Sequence, residues 1–456
     1  MKISNSIYVC ISIFLLLNSS GCKKFVTIEP PKNQLTYQGV FADSVNARAA
    51  VLGIYETAMQ QTAMSFSNGG FSLYGGLSSD ELYISGSDQA SAEFFNYKLQ
   101  PLNSNNLALW VFAYKYIYQC NASIEGLAAS ENIPISSKMS LIAELRFLRA
   151  FFYFNLLNLY GEVPIVTTTD YELNRLAPRA PADQVYAQIV TDLQFAQANL
   201  PANASIKARA NFYSATALLA KVYLYTQQYT KSVTETNKII NSGKYTLTAN
   251  INNVFLPGSS ESIWYLVPVA PLRATWEGYY FIPSSNTTKP KYVIANTLYN
   301  SFENGDLRKA AWIKGNATGG VLYPYPYKYK LALVSGTNSE YSIIFRLAEI
   351  YLIRAEAKAN SEDLTGATAD LNVVRQRAGL ARTTAADKST MLLALEKERQ
   401  TELFCEWCNR WFDLKRTGRA PALLGNKTGW NSNALLYPVP LAELNTNPKL
   451  TQNPGY

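Results

Sequence analysis

A chain of 456 residues, 48% of them hydrophobic, is long enough to bury a large core. It contains no histidine, which excludes a Ser-His-Asp triad, a Cys-His pair and any His-ligated metal site. The 41 Lys and Arg against 33 Asp and Glu give a formal charge of +8, but the excess is spread along the chain without a dense basic stripe, which argues against a nucleic-acid partner.

The chain opens with Met1–Lys2, runs largely apolar from Ile7 to Leu17, and ends this first segment in Ser19, Ser20 and Gly21 before Cys22. A charged start, a short apolar stretch and small residues describe a secretory signal peptide over 1–21, too short to span a bilayer, which takes roughly 20 apolar residues. A cleavage site ending in cysteine is the mark of bacterial lipoproteins, although such signals usually carry Leu where Ser19 stands. Cys22 is therefore expected to be acylated, and two or three acyl chains at about 0.8 kcal/mol per buried methylene make a stable membrane anchor. Residues 22–42, with Pro30 and Pro31 and no helical period, read as a tether.

From residue 43 the helical signals begin. "DSVNARAAVLGIYETAMQ" places Val45, Ala49, Leu52 and Tyr55 on one face, with Asp43 or Ser44 as its N-cap. "LALWVFAYKYIYQCNASIEGL" does the same with Leu107, Trp110, Tyr114, Ile117 and Asn121. "SLIAELRFLRAFFYFNLLNLYGEVP" is apolar on most sides, which predicts a buried helix closed by Gly161 and Pro164. A helix over "ADQVYAQIVTDLQFAQANLP" follows, ended by Pro201, and then two helix pairs. The first is "YSATALLAKVYLYTQQ" with "YTKSVTETNKIINSG"; the second is "FRLAEIYLIRAEAKAN" with "LTGATADLNVVRQRAG". The pairs share wording: residues 219–224 read LAKVYL and 347–352 read LAEIYL. Small Ala among large Tyr and Leu at helical spacing lets helices interlock, the logic of tetratricopeptide hairpins stacked in a solenoid. "KSTMLLALEKERQTELFCEWCNRWFDLKRTG" is expected as one long last helix, stopped by Gly418. Between the pairs, about 245–340 is rich in Pro and Gly with β-like runs such as "ESIWYLVPV" and "YPYPYKYK", a long insertion of the kind that carries function on a rigid frame.

The lipoprotein cysteine, "LRFLRAFFYFNLLNLYGEVPIV" (145–166), "DQVYAQIVTDLQFAQANLP" (183–201), "FRLAEIYLIRAEAKA" (345–359), "LNVVRQRAGL" (371–380), "ERQTELFCEWCNRWFDLKRTG" (398–418) and "LYPVPLAELNTNPKLTQNPGY" (436–456) together resemble the SusD/RagB family of outer-membrane lipoproteins. The resemblance implies a mainly α fold of four tetratricopeptide-like units supporting a loop-rich second half. It divides the chain into a signal peptide (1–21), a tether (22–42) and a SusD-like domain (43–456). Within that domain, helical units fall at about 43–244 and 341–418, the insertion at 245–340 and a C-terminal segment at 419–456. It also implies a non-catalytic, surface-exposed lid over a SusC-like TonB-dependent β-barrel transporter, which captures an oligosaccharide and hands it on; some relatives take peptides. Acidic residues usually follow the lipidated cysteine in this family, whereas here Lys23 and Lys24 do.

Candidate residues divide by whether a core already explains them. Aromatics such as "FFYF" (151–154) sit at helical spacing and belong to packing. Phe94, Phe95 and Tyr97 in "SDQASAEFFNYKLQP", and Trp276, Tyr279 and Tyr280 in "PLRATWEGYYFIP", sit where no periodic core requires them. The resemblance implies glycan contacts from these two regions. A pyranose has an apolar C–H face that a Tyr or Trp ring covers and a hydroxyl rim that Asn, Asp and Arg satisfy. Trp276, fenced by Pro271 and Pro283 with Gly278 close by, is expected in an irregular stretch as a stacking platform. Asp80–Glu81 in "GLSSDELY" is read as loop bracing. Glu398, Arg399, Glu402, Arg410 and Asp413 are read as ion pairs rather than a glycosidase carboxylate pair. After removal of Cys10 with the signal and commitment of Cys22 to the anchor, Cys120, Cys405 and Cys408 remain, too few for a four-cysteine zinc site. No cofactor is expected. "CEWC" (405–408) is read as packing thiols inside the last helix, with a local disulfide as the alternative and a redox site disfavoured. The leading reading is a glycan-capture lid; a peptide lid, a tetratricopeptide protein scaffold and a lipoprotein hydrolase are the alternatives, the last opposed by the missing histidine.

Overall fold

The computed structural model describes residues 37–60, 66–269, 274–334 and 340–456, apart from the side chains of 37, 38, 60 and 66. The expected signal peptide, Cys22 and most of the tether lie outside these residues. What is described of the tether ends pinned rather than free. Phe41 is buried, and its ring lies so close to Gly126 that a Cβ there would meet it at 2.2 Å.

The scaffold is a run of helices in which each packs on the next: Ser44–Gln60, Ser104–Ala129, Ile135–Tyr160, Ala182–Asn199, Phe212–Tyr225, Tyr229–Ile240, Leu347–Asn360, Leu364–Arg377 and Lys388–Leu403. Caps explain several starts. Asp43 accepts hydrogen bonds from the backbone N–H of Val45 and Asn46, and Asn211 and Asp387 each form a capping box. Ile135–Tyr160 is buried on nearly every side from Leu141 onward and ends at Gly161 with φ +72°. Among the described residues no helix is long and apolar enough to cross a membrane.

The two repeated hexapeptides meet. Lys221 of LAKVYL and Glu349 of LAEIYL hold the same third position, and their side chains form a buried ion pair at 2.8 Å, shared with Asn409 at 2.7 Å. Tyr229–Ile240 packs directly on Leu347–Asn360 although about a hundred residues intervene. Those intervening residues form short helices and strands. Strands β1 (Leu82–Ile84), β2 (Ser262–Leu266), β3 (Tyr292–Ile294), β4 (Ile313–Thr318), β5 (Val321–Pro326) and β6 (Ser342–Arg346) pair antiparallel as β1–β3, β2–β6 and β4–β5.

Two expectations need correction. In Ser44–Gln60 the buried face is Ala47, Val51, Ile54, Tyr55 and Ala58, while Val45 is 78% exposed and Leu52 is also exposed. Ala49 of the expected face is exposed as well, and only Tyr55 of that face is buried, where its hydroxyl fixes the rotation by donating to Glu144 at 2.8 Å. The last helix is not continuous: it breaks into Lys388–Leu403 and Asn409–Arg416. Phe404 turns extended, and Cys405, Trp407 and Cys408 take left-handed φ of +52°, +45° and +59°. Three such non-glycine residues in one turn store strain of order 1–3 kcal/mol each. The turn is held by burial and by Glu81, whose carboxylate accepts from the Cys405 N–H at 3.1 Å.

Two carboxylates of this region, Glu402 and Asp413, sit among arginines. Glu402 is buried among Arg308 (2.9 Å), Arg346 (2.5 Å) and Arg377. Burial alone would raise its pKa, but Arg377, Arg346 and Arg308 outweigh burial and hold it well below the usual range. Asp413 is held at about 2 in the same way by Arg399 and Arg416. A depressed carboxylate contributes stability that is present above its unfolded value and lost as pH falls through its folded one. Glu402→Gln strands buried arginines and should cost about 3–5 kcal/mol at neutral pH, read by urea denaturation. The loss of stability on acidification from about pH 4 towards pH 2 should be shallower in the variant than in the native chain.

Candidate ligand surface

Both aromatic segments singled out in the sequence reach one connected patch. Gln89–Phe95 is a short helix capped by Asp88, which accepts from the Ser91 N–H at 3.0 Å. The Asp88 carboxylate also takes the Tyr292 hydroxyl at 3.1 Å and the Lys291 ammonium at 2.9 Å, so it ties this helix to β3. Burial would raise its pKa, but the hydrogen bonds from Lys291 and Ser91 outweigh burial and keep it below the ordinary range. Phe94 is buried, stacked on Tyr74 at 4.4 Å and edge-on to Tyr437 at 5.2 Å. Tyr74 lies among the phenols of Tyr292 and Tyr280; burial first, and then these neighbours, push its own pKa up.

Trp276 is not in an irregular stretch. It opens the helix Trp276–Phe281, which Thr275 caps by accepting from the Gly278 N–H at 3.0 Å. Gly278 seats the helix against the Leu331 carbonyl, where a Cβ would come within 2.2 Å. Nor is Trp276 an open platform. Its ring is 2% exposed, its Nε1 donates to the Met59 carbonyl at 3.0 Å, and Gly69, with φ +83°, lies against its Cβ. Tyr280 stacks on it at 5.6 Å and Tyr279 meets it edge-on at 6.0 Å. Glu277 fixes the same helix from below, accepting from the hydroxyls of Ser72 (3.2 Å) and Ser342 (3.0 Å).

Of the six aromatics, then, Phe94, Tyr97 and Trp276 are buried supports, while Tyr279 (40% exposed) and the half-buried Tyr280 and Phe95 face outward. Tyr97, at φ +54°, is edge-on to Trp430 at 4.9 Å. Lys427 spans Phe95 and Tyr97 at 5.1 and 5.5 Å and donates to the Ser79 carbonyl at 2.6 Å; burial pulls its pKa down to about 8. Sequence reasoning missed Asp88, Lys291 and Tyr292. Asp88 meets the other two across about 200 residues, where β1 pairs with β3 just beside them, and no local signal announces it.

The nearby carboxylates are committed to ion pairs. Asp80 is held bidentately by Arg410, 2.7 Å at each oxygen, and Glu398 by Arg308 at 2.6 Å. Among the described residues no group of His, Cys, Asp and Glu is placed to hold a metal ion. Cys120, Cys405 and Cys408 are unpaired and buried, and burial pushes all three thiols up, away from the reactive thiolate.

Removing the Trp276 ring should act on the fold first. Trp276→Ala should cost about 3–5 kcal/mol and lower the melting temperature by several degrees. An unchanged melting temperature with lost ligand affinity would instead show an open stacking platform.

Two family models match the chain. One described as the SusD family covers residues 211–456, and one described as starch-binding, associating with the outer membrane, covers 36–224. SusD-like protein P25 of Formosa agariphila is 26% identical over the full length of both chains, and SusD-like protein P38 of the same organism is 25% identical over 97% of this chain and 98% of its own. Among solved structures, a SusD superfamily protein from Bacteroides vulgatus superposes with a TM-score of 0.80 at 18% identity, covering 91% of this chain and all of that one. A laminarin-binding SusD-like protein superposes at 0.75 with 25% identity, covering 90% and 99%. On fold and on sequence alike, the chain belongs to the SusD/RagB family and is a non-catalytic member of it.

Proposed function

We propose that this protein is a lipid-anchored glycan-binding protein of the outer cell surface, acting as the lid of a SusC-like TonB-dependent transporter to which it delivers oligosaccharide. The observation that carries the glycan reading is the outward pair Tyr279–Tyr280 over a buried Trp276, joined through Tyr74 and Tyr292 to Asp88 and Lys291. Flat rings suit the C–H face of a pyranose, and a fixed carboxylate and ammonium suit its hydroxyl rim. The similarity to a laminarin-binding protein supports the same class of ligand. Tyr279, Tyr280 and Phe95 are the proposed contacts; Trp276, Phe94 and Tyr97 hold them in place.

The anchor at Cys22 supplies attachment, and the residues after it supply the reach a lid needs. Cys22→Ser should release the protein from the outer-membrane fraction; a serine variant that still pellets with membranes in high salt removes the anchor from the reading. Pull-down of the native chain from its own membranes should recover a β-barrel partner.

For the ligand, calorimetry with laminari-oligosaccharides and α-gluco-oligosaccharides should find one that binds and is not shortened during incubation. The Tyr279→Ala/Tyr280→Ala double variant should bind it about tenfold or more weakly at unchanged melting temperature, since stacking contributes about 0.5–1.5 kcal/mol per ring beyond area burial. Binding of peptides and of no glycan would overturn the ligand class while leaving the lid.

A further inference from the structure

Neither 278–302 nor 307–339 contains an Asp or Glu, so any carboxylate that answers the cations of these stretches comes from elsewhere in the chain. Arg308, Lys328 and Lys291 find one, in Glu402, Glu406 and Asp88. Lys330 gives its ammonium to the carbonyls of Ala311 and Tyr327. Lys289, Lys309 and Lys314 find none among the described residues. Each ammonium lies instead over a tyrosine ring: Lys289 over Tyr323 at 4.3 Å, Lys309 over Tyr299 at 4.1 Å and Lys314 over Tyr327 at 5.2 Å.

Lys289 and Lys314 share one side of the β4–β5 hairpin. Lys314, Asn316 and Thr318 stand opposite Tyr325, Tyr323 and Val321, and strand alternation puts these residues on the same face. The buried Asn316 donates from Nδ2 to the carbonyls of Ser285 at 2.8 Å and Thr288 at 2.7 Å, which fastens to that face the loop bearing Asn286 and Lys289. Lys314 reaches Asn286 Oδ1 at 3.5 Å. Both lysines are exposed, and the exposed hydroxyls of Ser285, Thr287 and Thr288 lie on the same loop. The rings that seat them, Tyr323 and Tyr327, are about 13 Å apart along an extended strand. A ring beneath an ammonium holds the charge in place and leaves N–H donors for an anion. This face also continues the ligand surface. β5 packs on β3, where Tyr292 and Lys291 bind Asp88. Tyr83 of β1 lies near Tyr323, for burial and then that phenol raise its pKa.

We propose, resting on the glycan reading above, that this face of the hairpin is a subsite for acidic sugar units, whose carboxylate or sulfate-ester oxygens accept from the Lys289 and Lys314 ammoniums. Two cations seated along one strand, with no carboxylate to neutralise them, answer negative charge repeated along a chain, and the hydroxyls beside them answer its sugar rim.

The test is titration calorimetry of the mature protein at about 0.15 M salt, which screens long-range attraction to its net charge. The probes are oligogalacturonate, dextran sulfate and unsulfated dextran. At least one acidic chain should bind about tenfold or more tightly than dextran; oligogalacturonate marks a carboxylate site and dextran sulfate a sulfate site. Lys289→Ala/Lys314→Ala should weaken that chain about tenfold at unchanged melting temperature. Lys244→Ala/Lys449→Ala, which removes the same charge from exposed side chains elsewhere, should leave it unchanged. Equal loss in the two lysine variants, or no acidic chain bound more tightly than dextran, would overturn the subsite. The Tyr279→Ala/Tyr280→Ala variant separates the two readings. Neutral glucan lost there, with acidic binding untouched by the Lys289 and Lys314 changes, keeps the stacking tyrosines and removes the subsite; the reverse result keeps the subsite and removes the stacking contacts.

Discussion

A single carboxylate, Glu402, gathers arginines from three separate stretches of chain: Arg308 from the insertion, Arg346 from the end of β6 and Arg377 from the end of a scaffold helix. Glu261 adds a second hold on Arg346 and Arg377, both at 3.1 Å, and Glu406 bridges Arg346 to Lys328. The insertion is short of regular structure, with two-stranded ladders only, and such ladders are marginal alone. Its seating on the helices therefore depends on this network. Replacing a buried ion cluster by apolar residues is often neutral or stabilising, so its role here is read as specificity: arginines that bond carboxylates in a fixed fork geometry admit one register of insertion on scaffold. Trp312 fills the centre, with Arg346, Arg377 and Lys328 over its ring at 5.7, 5.6 and 4.8 Å.

The network passes directly into the strained turn at 404–408. Glu406 lies inside that turn, and Glu81, which holds its Cys405 N–H, stands immediately before β1. Gly75 lets the turn press on Phe71–Ser78: a Cβ there would meet the Cys408 sulfur at 2.5 Å, and that thiol donates to the Phe71 carbonyl at 3.1 Å. Helix Phe71–Ser78 in turn carries Tyr74, on which Phe94 stacks. The charged core and the aromatic patch are thus joined by one helix and one turn, without a loose loop between them.

How much of this was legible follows from the range of the forces involved. The long helices were readable because period, caps and stops are local: Asp43, Gly161 and Pro201 each mark a boundary where the structure has one. The kinship of LAKVYL and LAEIYL was readable as wording, but the ion pair between their Lys and Glu was not, since it needs the two helix pairs to stack face to face. The break after Leu403 was hidden because "ELFCEWCNRW" carries neither Gly nor Pro; the turn is imposed by Glu81 and Gly75, more than three hundred residues earlier in the chain. The aromatic regions were found by subtracting helical periodicity. That subtraction could not tell support from surface, because Trp276 and Tyr279 differ only in which side of a six-residue helix they occupy.

That distinction bears on how the patch works. A ring free to swing must be immobilised on binding, which costs about 0.5–1.5 kcal/mol per side chain, as much as the stacking contributes. Here Tyr280 rests on Trp276, whose indole N–H is spent on a backbone carbonyl, and the helix beneath is fixed by Glu277 to two serines on different elements. The ordering cost has been met in folding, by the burial of the tryptophan. Placing the largest ring below the surface and the two tyrosines against it lets one residue's burial hold both rings in place, which is what the proposed glycan contact would require.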